Sequence, residues 1–306
     1  MAKIDGLIAA TFTPLDETGS VNLAPIPALV DGLIAQGVTG MYVCGSTGEG
    51  PSLTTEERKV VAKAYVEASA GRIPSVIQVG HNSIEDAKTL ARHAQEIGAE
   101  AISAVAPTYF KPVDLDALID CMAGVCSAAP DTPFYYYHIP PITGLNFDML
   151  DFLEAAPARI PSLAGIKFSS RDVDKFQACL NFEDGKYNIL FGVDEMFLSG
   201  LAVGGTGAVG STYNFMAPLY RTVMRSYAGG DMADAQAKQH LATSIIRTIL
   251  QYGGMPSLKA CMGLKGVDCG AVRLPLSAMS EASLAQMRAD LEEQGFFEWA
   301  RQVWED

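Results

Sequence analysis

Several features that define other protein classes are missing from this chain. Its apolar stretches stay short of the roughly 18 residues of a membrane span, and Met1–Pro14 holds only the apolar run GLIAA, so no secretion signal is expected. Basic residues are few: 22 stand against 35 acidic ones, a formal net charge of -13. A surface of that sign repels nucleic acid and anionic membranes, so neither is expected as a partner.

Paired cysteines and clustered metal ligands are also missing from the sequence. Six cysteines occur without a CxxC pair and four histidines are scattered, so neither a zinc site nor a disulfide scaffold is predicted. Reduced, mostly buried thiols indicate a cytoplasmic protein instead. We therefore predict no metal and no cofactor. An anionic small-molecule substrate has to be held by local donors, because the overall charge repels it.

The chain does contain a regular alternation of short apolar runs and longer helical windows. The runs are continuous, as in a parallel sheet covered by helices. Strands are predicted at 6–12, 41–45, 75–80, 101–107, 133–139, 163–169, 187–192 and 206–212. Helices are predicted at 22–36, 54–70, 83–98, 114–128, 147–156, 171–181, 194–203 and 216–228.

This even, eightfold alternation predicts an α/β fold, a (β/α)8 or TIM barrel, and favours it over a doubly wound sheet. After residue 228 only helical windows remain, at 231–252, 256–266 and 281–294. We expect a catalytic barrel at 1–228 and a helical C-terminal extension at 229–306 packed on it. Thr54 and Glu57 fit a capping box at the start of the second helix.

One predicted strand carries an amine. The stretch SLAGIKFSSRD places Lys167 between apolar neighbours, although burying an ammonium is costly. One interpretation is a strand end from which the lysine extends to water. The other is an amine kept dry, with a pKa lowered by its apolar flanks, so that it can act as a nucleophile. The stretch alone leaves both open.

Reactive groups of such barrels lie at the C-terminal ends of the strands, and one of the two glycine-rich segments of the chain occupies such a place. GSTGEG at 45–50 lacks the lysine of a phosphate-binding loop. It is either a carboxylate site, made by N–H groups and the hydroxyls of Ser46 and Thr47, or a plain strand-to-helix turn. GTGAVG at 205–210 matches a dinucleotide fingerprint in letters only, because its glycines lie inside a predicted strand.

The fifth and seventh strands also end in polar residues. Alternation along YYYHIP directs Tyr135 and Tyr137 to one side, where Tyr137 is a candidate acid–base group, and turns His138 towards the helices as a structural residue. Asp194 and Glu195 follow the seventh strand. They either offset a helix dipole or bind hydroxyls of a polar substrate.

These motifs together resemble a known family. GSTGEG, YYYHIPPITG, GIKFS, FGVDE and GSTYN occur in the order and spacing of the N-acetylneuraminate lyase branch of the pyruvate-dependent class I aldolases, whose wider family includes dihydrodipicolinate synthase. The resemblance runs from about residue 6 to beyond residue 260. It implies a homotetrameric lyase that splits N-acetylneuraminate into pyruvate and N-acetylmannosamine through a lysine Schiff base.

The resemblance also implies a role for each matching residue. Lys167 matches the Schiff-base lysine, Tyr137 the proton-shuttling tyrosine, and Ser46 with Thr47 the pair that binds the pyruvate carboxylate. Tyr109 resembles a tyrosine that reaches a neighbouring subunit's site, and completes an implied catalytic set with Lys167, Tyr137 and Thr47. The residues that match contacts to the sugar tail are Ser169, Gly192, Asp194, Glu195 and Ser211.

Two positions depart from the family pattern. Dihydrodipicolinate synthases carry an arginine after the fifth strand for a substrate carboxylate, whereas Ile142 stands here, and SSRD replaces the expected Ser-Asp pairing after the lysine. The alternatives are another lysine-dependent aldolase, acting on 2-keto-3-deoxy sugar acids or resembling dihydrodipicolinate synthase, and a catalytically silent keto-acid sensor. Lys167 and Tyr137 argue against the sensor, which has no need for both.

Overall fold

Eight parallel strands pair in sequence order, and the eighth pairs with the first to close a barrel. The structure, a computed structural model, describes residues 3–304. The strands are β1 Gly6–Ala10, β2 Gly40–Val43, β3 Ser75–Gln78, β4 Ala101–Val105, β5 Phe134–His138, β6 Leu163–Phe168, β7 Asn188–Phe191 and β8 Gly207–Gly210. All eight predicted strands are present, and the (β/α)8 barrel is confirmed. Each strand ends one or two residues earlier than predicted, where the chain leaves the sheet.

The helices lie between the strands and beyond them. They are α1 Ile26–Ala35, α2 Thr55–Ser69, α3 Ile84–Glu96, α4 Leu115–Cys126, α5 Pro140–Thr143, α6 Met149–Ala155, α7 Val173–Asn181, α8 Phe197–Ala202, α9 Tyr213–Ala228, α10 Met232–Gln251, α11 Met255–Lys265, α12 Glu281–Glu293 and α13 Phe296–Ala300. The predicted capping box of Thr54 and Glu57 is present at α2. The short helices α5 and α13 were not predicted, because one turn is too brief to show a periodicity.

Alternation along the strands divides the apolar interior into two layers. A small cluster fills the barrel itself and includes Tyr42, Tyr135 and Tyr137. A larger layer lies between the strands and the helices, where Tyr136 packs against Phe152 with ring centroids 4.8 Å apart. The sides predicted for Tyr135 and Tyr137 are therefore correct, and polar groups on the inner side converge on the barrel axis.

The helices after residue 228 pack on the barrel and on one another. Two ionic contacts tie the chain after residue 228 to the loop after β2 and to the first turn of α2. Lys259 Nζ lies 2.7 Å from Glu49 Oε1, with both side chains buried, and the Arg273 guanidinium donates two hydrogen bonds of 2.8 Å to the Glu57 carboxylate. The division at residue 228 into barrel and extension stays a prediction.

Neither a membrane-spanning helix nor a cluster of metal ligands occurs within residues 3–304. None of the helices in this range combines the length and the apolar character needed to cross a bilayer. The same residues contain no group of three or more His, Cys, Asp or Glu side chains placed to hold a metal ion.

Candidate active site

Lys167 lies inside the barrel, on β6, with 4% of its surface exposed. The parallel register places Tyr137 of β5 directly beside it. Its Nζ atom is 3.8 Å from the ring centroid of Tyr42 and 4.0 Å from that of Tyr137, so the amine is held between two aromatic faces. A lysine that extends to water is excluded by this burial, and the dry-amine interpretation holds.

The side chains that exclude water from the Lys167 amine are not the ones that the sequence suggested. Ile166 and Phe168, the apolar flanks of Lys167, belong to the outer layer because alternate residues of a strand face opposite sides. Burial within the barrel lowers the pKa of the Lys167 amine, and interactions with Tyr137 and Asp194 oppose that lowering. The direction of the pKa shift is as predicted, but residues of other strands produce it.

Tyr42 is a part of this site that the sequence reasoning missed. Its ring lies edge-on to that of Tyr137, with centroids 5.6 Å apart, and its hydroxyl donates a 2.9 Å hydrogen bond to Ser103 Oγ. Burial raises the pKa of Tyr42 well above its usual value, so the phenol stays neutral. The sequence did contain one indication. Alternation along MYVCG can place Tyr42 on the inner face of the strand that leads into GSTGEG.

The loop after β2 brings two predicted carboxylate-binding hydroxyls to the mouth of the barrel. Ser46 Oγ lies 3.5 Å from the Tyr137 hydroxyl, and Thr47 Oγ1 lies 2.7 Å from Ser211 Oγ. Thr13 holds the turn by donating a 2.6 Å hydrogen bond to the carbonyl of Gly48. Hydroxyls of Tyr137 on β5 and of the segments after β2 and β8 thus come together at the end of the barrel where Tyr137 lies beside Lys167.

Asp194 and Ser169 approach the backbone so closely that glycine is required opposite each of them. A Cβ at Gly210 would lie 2.2 Å from Asp194 Oδ1, and a Cβ at Gly192 would lie 2.1 Å from Ser169 Oγ. The backbone N–H and the hydroxyl of Thr212 donate to Asp194 Oδ2 at 3.0 and 2.7 Å. Burial nevertheless raises the pKa of the Asp194 carboxyl to about 6.

Glu195 extends this polar edge outward. Its half-buried carboxylate lies 3.8 Å from the guanidinium of Arg171, whose side chain is largely exposed. A cavity of about 190 Å³ opens beside Asp194, Glu195 and Ser211. Its far side is lined by apolar side chains of the C-terminal helices, Ile246, Leu250 and Leu258. The cavity is therefore polar on the barrel side and apolar on the other.

Most predicted site residues come together at this end of the barrel, and Tyr109 lies apart from them. Tyr109 follows β4, is 80% exposed, and packs edge-on against Phe110 at 5.0 Å. Its predicted contribution to a neighbouring subunit stays a prediction. His138 faces the helices against Phe168, as expected, and burial lowers its pKa to about 4.

Comparison with known proteins bears on this arrangement directly. Residues 3–294 match the model of the dihydrodipicolinate synthetase family. The chain belongs to this family. The family membership that the five motifs predicted is therefore confirmed.

Members of the dihydrodipicolinate synthetase family similar to this chain include named lyases. An N-acetylneuraminate lyase of Gallus gallus is 39% identical over 95% of this chain and 96% of its own length. The structure of Proteus mirabilis N-acetylneuraminate lyase superposes with a TM-score of 0.94 at 43% identity, covering 96% of this chain and all of that one. A Ruminococcus gnavus sialic acid aldolase, described as a catalytic lysine mutant, superposes with a TM-score of 0.87 at 31% identity, covering 95% of this chain and 97% of that one.

Proposed function

We propose that this protein cleaves N-acetylneuraminate reversibly to pyruvate and N-acetylmannosamine through a Schiff base on Lys167. The observation that carries the proposal is the buried Lys167 amine, held between the rings of Tyr42 and Tyr137 with a lowered pKa. A neutral amine is the form that attacks a carbonyl. Family membership and the named relatives supply the substrate class.

The chemistry follows from the amine and the phenol beside it. The neutral amine of Lys167 adds to the C2 ketone of the sugar acid. The hydroxyl of the resulting carbinolamine takes the proton of Tyr137 and leaves as water, so an iminium that serves as an electron sink and a Tyr137 phenolate remain. The C3–C4 bond then breaks, its electrons form an enamine, and the C4 hydroxyl gives its proton to Tyr137 as the aldehyde leaves. Tyr137 returns the proton to C3, and water releases pyruvate.

The hydroxyls of Ser46 and Thr47 would bind the carboxylate of the keto acid. Ser46 lies close to the Tyr137 hydroxyl, and Thr47 is hydrogen-bonded to Ser211. A carboxylate bound by this pair would therefore lie next to the acid–base group and next to a residue proposed to bind the sugar tail. The chain is acidic overall, and these local donors replace long-range attraction. They orient C2 towards the amine.

The polyhydroxy tail would lie along Asp194, Glu195 and Ser211, with Ser169 and the Gly192 backbone alongside. We expect Glu195→Ala to lower kcat/KM for N-acetylneuraminate by about tenfold or more, since a lost charged hydrogen bond costs roughly 1.5–3 kcal/mol. Imine formation with pyruvate alone should be unchanged, because pyruvate has no tail. Loss of borohydride trapping in a folded Glu195→Ala variant would contradict the assignment.

A turnover assay tests the reaction itself. N-acetylneuraminate is supplied to the wild type, and pyruvate and N-acetylmannosamine are both quantified. Equal amounts of the two products support the proposal. Cleavage confined to 2-keto-3-deoxy sugar acids would favour another aldolase of the family, and binding of keto acids without any turnover would favour a sensor.

Specificity in the condensation direction gives a second test. Ile142 is exposed and uncharged at the place where an incoming carboxylate would need a cation, whereas Asp194, Glu195 and Ser211 suit a polyol. Sites discriminate mainly through the polar groups that a wrong substrate leaves unpaired. Condensation of pyruvate with N-acetylmannosamine should therefore far outrun condensation with aspartate semialdehyde. Efficient use of the semialdehyde would overturn this specificity.

We also propose a homotetramer in which Tyr109 reaches a second copy. Three large apolar side chains on the segment after β4, Tyr109, Phe110 and Val113, are 80%, 85% and 88% exposed. An apolar patch of this kind is typical of an interaction surface. Light scattering on the active enzyme should give four times the mass of one chain, and a fully active monomer would refute the idea.

A cytoplasmic location completes the proposal. All six cysteines are free thiols and five of them are buried. Free thiols persist in reducing compartments, whereas an oxidising one favours disulfides. Cell fractionation of the source organism tests this.

A further inference from the structure

The turn that carries Asp194 and Glu195 has no cap from its own residues. Asp194–Met196 forms one 3-10 turn and α8 begins at Phe197, and neither receives a side-chain hydrogen bond from its own N-cap residue. The first N–H groups of a helix have no partner within the helix, so an acceptor has to come from elsewhere.

Gln239 of α10 supplies that acceptor and two donors. Its Oε1 accepts a 2.9 Å hydrogen bond from the N–H of Leu198. Its Nε2 donates to the carbonyl oxygens of Asp194 and Glu195, both at 3.2 Å. One side-chain amide thus bonds two carbonyl oxygens of the turn and one N–H group of the first turn of α8.

Thr243, one helical turn further along α10, reinforces this contact. Its hydroxyl has two carbonyl oxygens within reach, that of Gln239 at 2.9 Å and that of Glu195 at 3.2 Å, and it accepts a 3.3 Å hydrogen bond from Gln239 Nε2. The same helix buries an apolar stripe at Ala235, Ala242 and Ile246. Gln239 stands within that stripe by spacing, four residues after Ala235 and three before Ala242. Burying a polar side chain in such a stripe costs free energy unless the side chain is hydrogen-bonded, and the amide of Gln239 forms such hydrogen bonds with the turn.

We propose that Gln239 is a positioning residue for the sugar tail: through the turn it fixes Asp194 and Glu195, and thereby sets selectivity for the aldehyde half of the reaction. The inference rests on the proposed function. It assigns part of the specificity to a helix outside the barrel, which touches neither the reacting carbons nor Lys167. A shift of about 1 Å in a substrate-binding group can cost roughly a hundredfold in rate.

The test compares Gln239→Leu with Gln236→Leu in the condensation reaction. Both remove an amide from α10, but Gln236 is exposed. For Gln239→Leu we expect the KM for N-acetylmannosamine to rise about tenfold or more, with the KM for pyruvate and borohydride trapping changed less than about twofold. Gln236→Leu should match the wild type. Thr243→Ser, which keeps the hydroxyl, should retain the wild-type KM for the aldehyde, and Thr243→Val should raise it.

Two outcomes would overturn the inference: an unchanged KM for the aldehyde in Gln239→Leu, or a parallel loss in both halves of the reaction, which would mark a purely structural role. Failure of the proposed function looks different, because the wild type itself would then not use N-acetylmannosamine. The same comparison would then be made with the aldehyde that it does use.

Discussion

The two halves of the candidate site are anchored in different ways. Lys167, Tyr137 and Tyr42 stand on strands β6, β5 and β2, and their side chains fill the closed interior of the barrel. Asp194 and Glu195 stand on a single turn beyond β7, which is held by hydrogen bonds from α10. The barrel interior surrounds the Lys167 amine, which we propose as the nucleophile, whereas the turn that we propose for substrate recognition is held by α10. From these proposed roles we expect substitutions in α10 to change selectivity without disturbing the chemistry at Lys167.

The largest effect should come from removing the amine. We expect Lys167→Met to lower turnover by about 10⁴-fold or more, since loss of the nucleophile removes the covalent route. In the wild type, borohydride with pyruvate should leave one reduced adduct, on the peptide that contains Lys167. Mass spectrometry of the digested protein locates it.

Lys265 is the internal control for that experiment. Burial lowers the pKa of its amine to about 8, but its Nζ is hydrogen-bonded to Gln36 Oε1 at 2.6 Å and to the Asn214 carbonyl at 2.8 Å. Lys265 should not form an adduct with pyruvate, because a lowered pKa is not sufficient for an amine outside the mouth of the barrel. Labelling of Lys265, or labelling that persists in Lys167→Met, would refute the assignment.

The second largest effect should follow Tyr137→Phe, with Tyr135→Phe as its matched control. Both tyrosines lie on the inner face of β5, but the hydroxyl of Tyr135 donates to Asn188 Oδ1 at 2.9 Å instead of approaching Ser46. We expect Tyr137→Phe to lower kcat by roughly 10²–10⁴-fold, the range for losing an acid–base group. Tyr135→Phe should cost about 1 kcal/mol of stability and little activity. Equal kcat values for the two variants would contradict the proton-transfer role.

The barrel half of this comparison could be predicted well from the sequence. Apolar runs with a turn at each end define the strands, and strand alternation predicted the sides of Tyr135, Tyr137 and His138 correctly. Family motifs placed Ser46, Thr47, Asp194 and Ser211 at the same end of the barrel, where the structure has them.

What could not be predicted depends on contacts between distant residues. Tyr42 lies 125 positions before Lys167 in the numbering, and nothing local to MYVCG shows that its ring covers an amine. Gln239 was hidden within a helical window, because periodicity identifies a buried stripe but not the backbone groups opposite it. The apolar flanks of Lys167 were misleading for the same reason: sequence neighbours on a strand face opposite sides.

A smaller effect concerns the charge of the recognition half. The native pKa of Asp194, about 6, is above that of an unfolded aspartate. Between about pH 4 and 6 the folded protein therefore holds a proton that the unfolded chain has released, and this contribution to stability is lost as the pH rises. From pH 5 to 7.5 the wild type should lose about 1.4 kcal/mol relative to Asp194→Asn. Denaturant unfolding of both proteins at the two pH values measures the change in the free energy of unfolding. No loss of stability in the wild type relative to Asp194→Asn, or a gain, would contradict the raised pKa of Asp194.

The smallest effect should come from substitutions of Tyr42, which test whether its ring influences the pKa of the Lys167 amine. Its ring faces the Lys167 amine and its hydroxyl is bonded to Ser103, so two variants separate the two contributions. Tyr42→Phe keeps the ring and should leave the pH profile of kcat/KM in place. Tyr42→Leu removes an aromatic face whose attraction favours the ammonium by roughly 0.5–1 kcal/mol, so the pKa of Lys167 should fall further. The acid limb of the profile should then move to lower pH by about half a unit. A shift to higher pH in Tyr42→Leu, or the same shift in both variants, would show that the ring does not act on the amine in this way.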